Sequence, residues 1–145
     1  MRYENQILET EKNISKFDLL EVEKEFSFTF PNEIKEHYLS FNGGEPEKYM
    51  FDGMTIQLFL SIKYGDYTLE SSLKNMRDEC LISDWLIPFA EDAGGDFYCF
   101  SLRKEEEGAI YIWRNDDFDY DHKESAISYV TDSIISFING MIDEE

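Results

Sequence analysis

Ile87–Leu102 reads IPFAEDAGGDFYCFSL. Two apolar runs flank a polar hinge, Glu91-Asp92-Ala93-Gly94-Gly95-Asp96. Ile87, Phe89 and Ala90 precede it; Phe97, Tyr98, Cys99, Phe100 and Leu102 follow it. Short runs rich in β-branched and aromatic residues, broken by Gly-Gly, predict two neighbouring strands joined by a tight turn. Gly94 and Gly95 are expected to supply the positive φ values of that turn. The second run is apolar at nearly every position, whereas a half-exposed strand alternates. It is therefore expected to be buried on both faces, at the centre of a sheet.

Upstream, Ser15-Lys16-Phe17-Asp18 can open a helix as a capping box, with Asp in place of the longer Glu or Gln. Leu19, Leu20, Val22 and Phe26 follow at helical spacing. The chain then leaves the helix before Pro31, because a residue preceding proline is pushed out of the α region. Pro31 suits the first position of a second helix, Pro31–Phe41, with Ile34, Tyr38 and Phe41 as its buried stripe. Asn42-Gly43-Gly44 ends it. Residues Tyr3–Asn13 read as a short helix or a strap laid on the core.

From Tyr49 the period shortens. Tyr49–Asp52 and Thr55–Ile62 read as strands, with Asp52-Gly53 as a turn. Thr68–Glu79 is helical, with Leu69, Leu73 and Met76 on one face. Arg103–Gly108 is a charged hairpin loop, Ala109–Trp113 a strand, and Ala126–Val130 a short strand or extended lead-in. Asp132–Ile142 reads as a C-terminal helix, with Asp132 or Ser133 capping its first turn.

The chain has 145 residues, enough for one domain with a real core. Its aromatic content of 16% is too high for a disordered acidic protein. Asp and Glu number 32 against 13 Lys and Arg, a formal charge of −19. Such a field repels phosphate backbones and anionic membranes and attracts cationic proteins, so neither nucleic acid nor membrane is an expected partner. Cys80 and Cys99 do not form a disulfide framework. The N-terminal MRYENQILETEK lacks an apolar core of signal-peptide length, and no apolar run spans a bilayer, so a cytoplasmic protein is expected.

Few residues carry recognisable chemistry. Asp117-x-Asp119-x-Asp121 opens like a calcium loop, but His122 stands where the sharp turn needs Gly and Ser128 where a bidentate Glu belongs. A solvated acidic loop is the better reading. His37 and His122 are far apart in sequence and read as structural or surface residues. Cys99 in an apolar strand is expected to be inert. Gly94-Gly95-Asp96 lacks the rest of a phosphate loop. Trp85, Tyr111 and Trp113 read first as core, with one or two as interface anchors. Nothing assembles a nucleophile, base and oxyanion donors, so no catalytic residue, metal or cofactor is assigned.

The segment Leu20–Gly44, LEVEKEFSFTFPNEIKEHYLSFNGG, resembles the N-terminal signature of the SUKH superfamily at Glu23, Phe30-Pro31 and Asn42-Gly43-Gly44. Phe30 departs from the commoner Leu, and Ser27 stands where Gly is frequent. Ile87-Pro88 and Gly95-Asp96 match the family's second pattern. The Ala109–Trp113 strand, the acidic loop and the helix start Ser133–Ile138 follow in the family's order. The resemblance runs from Ser15 to Ile142 and implies one α+β domain over residues 1–145. In it a mainly antiparallel sheet is packed by N-terminal helices, one mid-chain helix and a C-terminal helix.

The resemblance also implies function. Many bacterial members are immunity proteins that bind and neutralise a cognate toxin, often a nuclease, inside the producing cell. Fungal relatives are regulators of cell-wall assembly, so a non-catalytic scaffold that binds a host protein is the alternative. An Asp-based metal hydrolase is the remote one. For an immunity protein, a basic toxin is expected to meet Asp116, Asp117, Asp119, Tyr120 and Asp121 first, with Glu91, Asp92 and Asp96 second.

Overall fold

The computed structural model describes residues 2–143, so Met1, Glu144 and Glu145 of the expected 1–145 domain lie outside it. It begins with a strap: β1 (Ile7–Leu8) crosses the core and later pairs antiparallel with β2 (Glu45–Pro46). Between them lie α1 (Lys16–Phe26) and α2 (Asn32–Ser40). The capping box of α1 is present: Ser15 Oγ accepts the Asp18 amide at 3.3 Å, and Asp18 Oδ2 accepts the Ser15 amide at 2.9 Å. Its buried residues are Asp18, Leu19, Val22 and Phe26. Leu20, expected to join them, is 55% exposed, because the buried stripe follows the 19–22–26 spacing and Leu20 points past it.

The second helix is shorter than its apolar spacing predicts. Pro31 sits at the cap rather than in the first turn, and Phe41 is already extended at φ −138°. The reason is Asn42, whose side chain is drawn into the core. Its Nδ2 donates to the Lys12 and Ile62 carbonyls, both at 2.9 Å, and its Oδ1 accepts the Ile62 amide at 2.7 Å. Gly43 follows at φ +76°, where a Cβ would lie 2.8 Å from that of Ser61. Only glycine permits this approach.

β3 (Met50–Phe51) and β4 (Met54–Thr55) form a hairpin over Asp52 and Gly53, both at positive φ. The single strand expected over Thr55–Ile62 is divided. Met54–Thr55 pairs back onto β3, and only β5 (Leu58–Phe59) joins the main sheet. Alternate burial continues across the break, which is why the pattern reads as continuous. Next, α3 (Leu69–Asp78) buries Leu69, Leu73 and Met76, with Thr68 as its cap.

The main sheet is completed by β6 (Leu86–Glu91), β7 (Phe97–Ser101), β8 (Ile110–Trp113) and β9 (Ile127–Thr131). Its order is β5-β6-β7-β8-β9, antiparallel throughout, with β7 central. Tyr98, Cys99 and Phe100 are fully buried. One face carries Ile87, Phe89, Tyr98, Phe100, Ile110 and Ile112 into a core with the helices; the other carries Leu86, Cys99, Tyr111 and Trp113 against Met76 and Ile82. In the β6–β7 turn only Gly95 has positive φ, at +90°; Gly94 does not.

Residues Ile134–Asn139 form α4, capped by Ser133, whose Oγ accepts the Ser136 amide at 3.1 Å. The helix expected to reach Ile142 stops early. Gly140 lets the Phe51 ring approach to where a Cβ would be 2.7 Å away, and Ile142 then pairs with Met50 instead of continuing the helix. Ile135 and Ile142, expected on the buried face, are 38% and 46% exposed. Among the described residues no helix is long and apolar enough to cross a membrane.

Candidate functional site

Strand register brings Leu58, Glu91, Phe97, Trp113 and Ile127 to one end of the sheet. Two acidic connections leave from that end, the β6–β7 turn and the β8–β9 loop. Asp92 shapes the turn: its Oδ1 accepts the amides of Gly94 at 2.8 Å and Asp96 at 2.9 Å. The turn is thus held by a carboxylate and by Gly95 alone at positive φ. Asp96 Oδ1 then accepts the Asn115 amide at 2.9 Å and ties the turn to the loop. Residues separated by nearly the whole β7–β8 hairpin form one acidic rim.

Beyond Asn115 the loop makes two single 3-10 turns, Asn115–Asp117 and Lys123–Ala126, and Ser125 Oγ donates to the Asp117 carbonyl at 2.7 Å. Asp116, Asp117, Asp119 and Asp121 are exposed. Tyr120 is 61% exposed yet not free: its hydroxyl donates to the Glu79 carbonyl at 3.2 Å, and its ring stands edge-on to Phe118 at 4.8 Å. Phe118 in turn lies 5.9 Å from Trp113, so the loop is anchored to the sheet and the end of α3.

Glu91, Asp92 and Asp96 are half-buried. Burial and the nearby Asp92 push the Glu91 carboxyl above its usual range. Arg114 is a cation within the rim, and its Nη1 donates to Ser128 Oγ at 3.2 Å.

The calcium-like spacing does not converge. Asp119 Oδ1 accepts the Asp121 amide at 2.9 Å, and its Oδ2 lies 3.4 Å from His122 Nδ1. Among the described residues no three His, Cys, Asp or Glu side chains gather into a metal-holding group. His37 is fully buried, its Nδ1 2.8 Å from the Tyr3 hydroxyl, and burial lowers its pKa to about 3. Cys99 is fully buried beneath the sheet's second face, and burial pushes its thiol far up.

Sequence reasoning read Trp85 and Tyr111 as core with one or two interface anchors, and missed the surface cluster that Arg103, Glu106 and Tyr129 build with them. The Arg103 guanidinium stacks 3.6 Å from the centroid of Trp85, and Nη2 also donates to the Tyr111 hydroxyl at 3.2 Å. Tyr111 donates in turn to Glu106. Tyr129 on β9 stands edge-on to Tyr111 at 5.7 Å and is 58% exposed. Tyr129 itself gives no local signal, because burial along β9 does not alternate.

The residues of the N-terminal signature have structural work. Glu23 Oε2 accepts the Phe30 amide, and Lys35 Nζ lies 3.7 Å away. Asn42 and Gly43 fix the crossing described above.

None of the curated proteins matches this chain. Among solved structures, it is similar to one titled as the crystal structure of a protein from Pseudomonas syringae pv. tomato. The two are 21% identical with a TM-score of 0.50, over 74% of this chain and 70% of that one, a likeness of fold. The family model described as the SMI1 / KNR4 family (SUKH-1) matches residues 13–140. With that match covering α1 through α4, the chain belongs to the SMI1 / KNR4 (SUKH-1) family.

Proposed function

We propose that this chain is an immunity protein that binds a cognate contact-delivered toxin in the cytoplasm of the producing cell and blocks it by occlusion, without bond chemistry. Family membership supports the class of function. The observation that carries the mode of binding is the Asp96–Asn115 hydrogen bond, which merges two acidic segments into one face. In this reading Asp116, Asp117, Asp119 and Asp121 steer a basic partner, with Glu91, Asp92 and Asp96 as the second group that meets it; Asp92 and Asp96 also hold the rim in shape. Nuclease toxins fit, because a site that holds phosphates is basic. Tyr120 contributes its exposed ring edge.

The test is co-expression with a toxin-like C-terminal domain encoded beside this chain's gene. Survival of the host and a stoichiometric complex are expected. Killing without complex formation would sink the proposal. A stable complex with a resident host protein and no protection would move the chain to the scaffold class.

A further inference from the structure

The second face of the sheet changes character along β8. Around Trp113 it is closed: the indole Nε1 donates to the Leu81 carbonyl at 3.2 Å, and Phe118 lies against the ring. Two residues back, Tyr111 faces the same side, because side chains along a strand alternate. The rings beside it reach the surface. Trp85 is half-buried, and Tyr129 is 58% exposed. Packing within the chain accounts for Tyr111 but not for Tyr129, whose ring stands more than half in solvent.

This cluster is locked before any partner arrives. The Trp85 carbonyl accepts the Leu102 amide at 2.8 Å, which sets the loop before β6 beside Arg103. Arg103 Nε donates to Glu106 Oε1 at 2.8 Å while its guanidinium lies on the Trp85 ring. Tyr111 meets Trp85 at 84° and Tyr129 at 85°, edge to face with both. Side chains already held in place lose little freedom on binding. Trp, Tyr and Arg are also the residues that carry most of the energy of protein interfaces.

We propose that Trp85, Arg103, Tyr111 and Tyr129 form the anchor that holds a basic toxin domain once the acidic loop has drawn it in, with a toxin arginine or lysine lying over the Tyr129 ring. The inference rests on the immunity reading above and names the residues that retain the toxin. Charge selects this occupant. Glu106 compensates Arg103, so the cluster does not repel a cation, and the exposed Asp84, Glu105 and Glu107 adjoin it against a single Lys104. The same face runs through Trp113, Phe118 and Tyr120 into the carboxylates Asp116–Asp121. A cation laid on an exposed tyrosine ring gains from the ring quadrupole as well as from those carboxylates. The exposed apolar pair on α1 differs. Phe17 and Leu20, 66% and 55% exposed, share their face with Glu21, Lys16 and Lys24, which offers a basic partner no net attraction.

The probe is the toxin domain of the co-expression assay, separated from the complex in denaturant, refolded and immobilised. Association and dissociation of the full chain are then timed. Tyr129→Ala and Arg103→Lys should each dissociate at least tenfold faster with association rates within about twofold of wild type, since lysine cannot keep the planar stack. Tyr129→Phe keeps the ring and should restore slow dissociation. Phe17→Ser should behave as wild type, and circular dichroism reports whether each variant folds. Wild-type dissociation in Tyr129→Ala and Arg103→Lys, or equal acceleration in Phe17→Ser, would overturn the anchor and leave the immunity reading standing. Absence of any complex with the wild-type chain would remove that reading and the anchor with it.

Discussion

The Glu23 carboxylate accepts the Phe30 backbone amide at 2.7 Å, bridging the end of α1 to the residue before Pro31. Seven positions apart, the two residues fix the angle at which the second helix departs. Proline at 31 has no amide to offer, so Phe30 N–H is the donor that must be satisfied there. A charge-assisted bond in this half-buried place contributes about 1.5–3 kcal/mol. Glu23→Ala should lower the urea midpoint accordingly, whereas Lys35→Ala should cost under about 1 kcal/mol, because that ion pair is long and partly exposed. Equal losses for the two would remove Glu23 from this role.

Asn42 supplies the second fixed point. Asn42→Ala leaves the Ile62 amide, the Ile62 carbonyl and the Lys12 carbonyl without their side-chain partner, and should cost about 3 kcal/mol or more. Asn42→Asp should be nearly as costly, since a carboxylate cannot donate to two carbonyls. Chemical denaturation of both variants checks this.

His37 predicts a pH dependence. In the folded chain its imidazole stays neutral down to about pH 3; in the unfolded chain it takes a proton below its ordinary value of 6.5. The unfolded state therefore binds the extra proton between those values. Stability contributed by the neutral ring is whole above pH 6.5 and declines as the pH falls toward 3, by about 4–5 kcal/mol in total. Unfolding free energies of the wild type and His37→Phe, compared across that window, should converge as acid is added. Parallel curves would show that His37 is not the group responsible.

The two thiols should separate cleanly. Cys80 is exposed and Cys99 buried. An aromatic disulfide reagent should titrate one thiol quickly in the native protein and the second only in denaturant. Rapid reaction of both would mean that the central strand opens readily.

The acidic loop should matter for association and not for folding. Asp116→Asn, Asp117→Asn and Asp119→Asn together should slow capture of a basic toxin about tenfold at low ionic strength, a gap that closes as salt rises. Melting temperature should scarcely change, as these carboxylates are exposed. Stopped-flow association rates give the answer, and an unchanged rate would take the loop out of the docking account. By contrast, Asp96→Ala should loosen the loop through the loss of the Asn115 bond and raise its proteolytic sensitivity.

The sequence by itself determined what local chemistry governs. The capping box at Ser15, the buried face of α3, the hairpin at Asp52-Gly53 and the apolar central strand Phe97–Ser101 all follow from residue type and spacing. Each depends on neighbours within a few positions. The signature residues Glu23, Phe30-Pro31 and Asn42-Gly43-Gly44 also pointed to the family, although not to their work as locks between segments.

Tertiary structure alone decided where elements stop and which distant groups meet. The second helix ends at Ser40 because Ile62 and Lys12 claim the Asn42 side chain, and α4 ends at Asn139 because Phe51 and Met50 claim the residues beyond it. The same holds for the rim. Asp96 and Asn115 are joined only once β7 and β8 are in register. Spacing along a chain reports which face a side chain takes; it carries no record of which remote backbone will arrive opposite it.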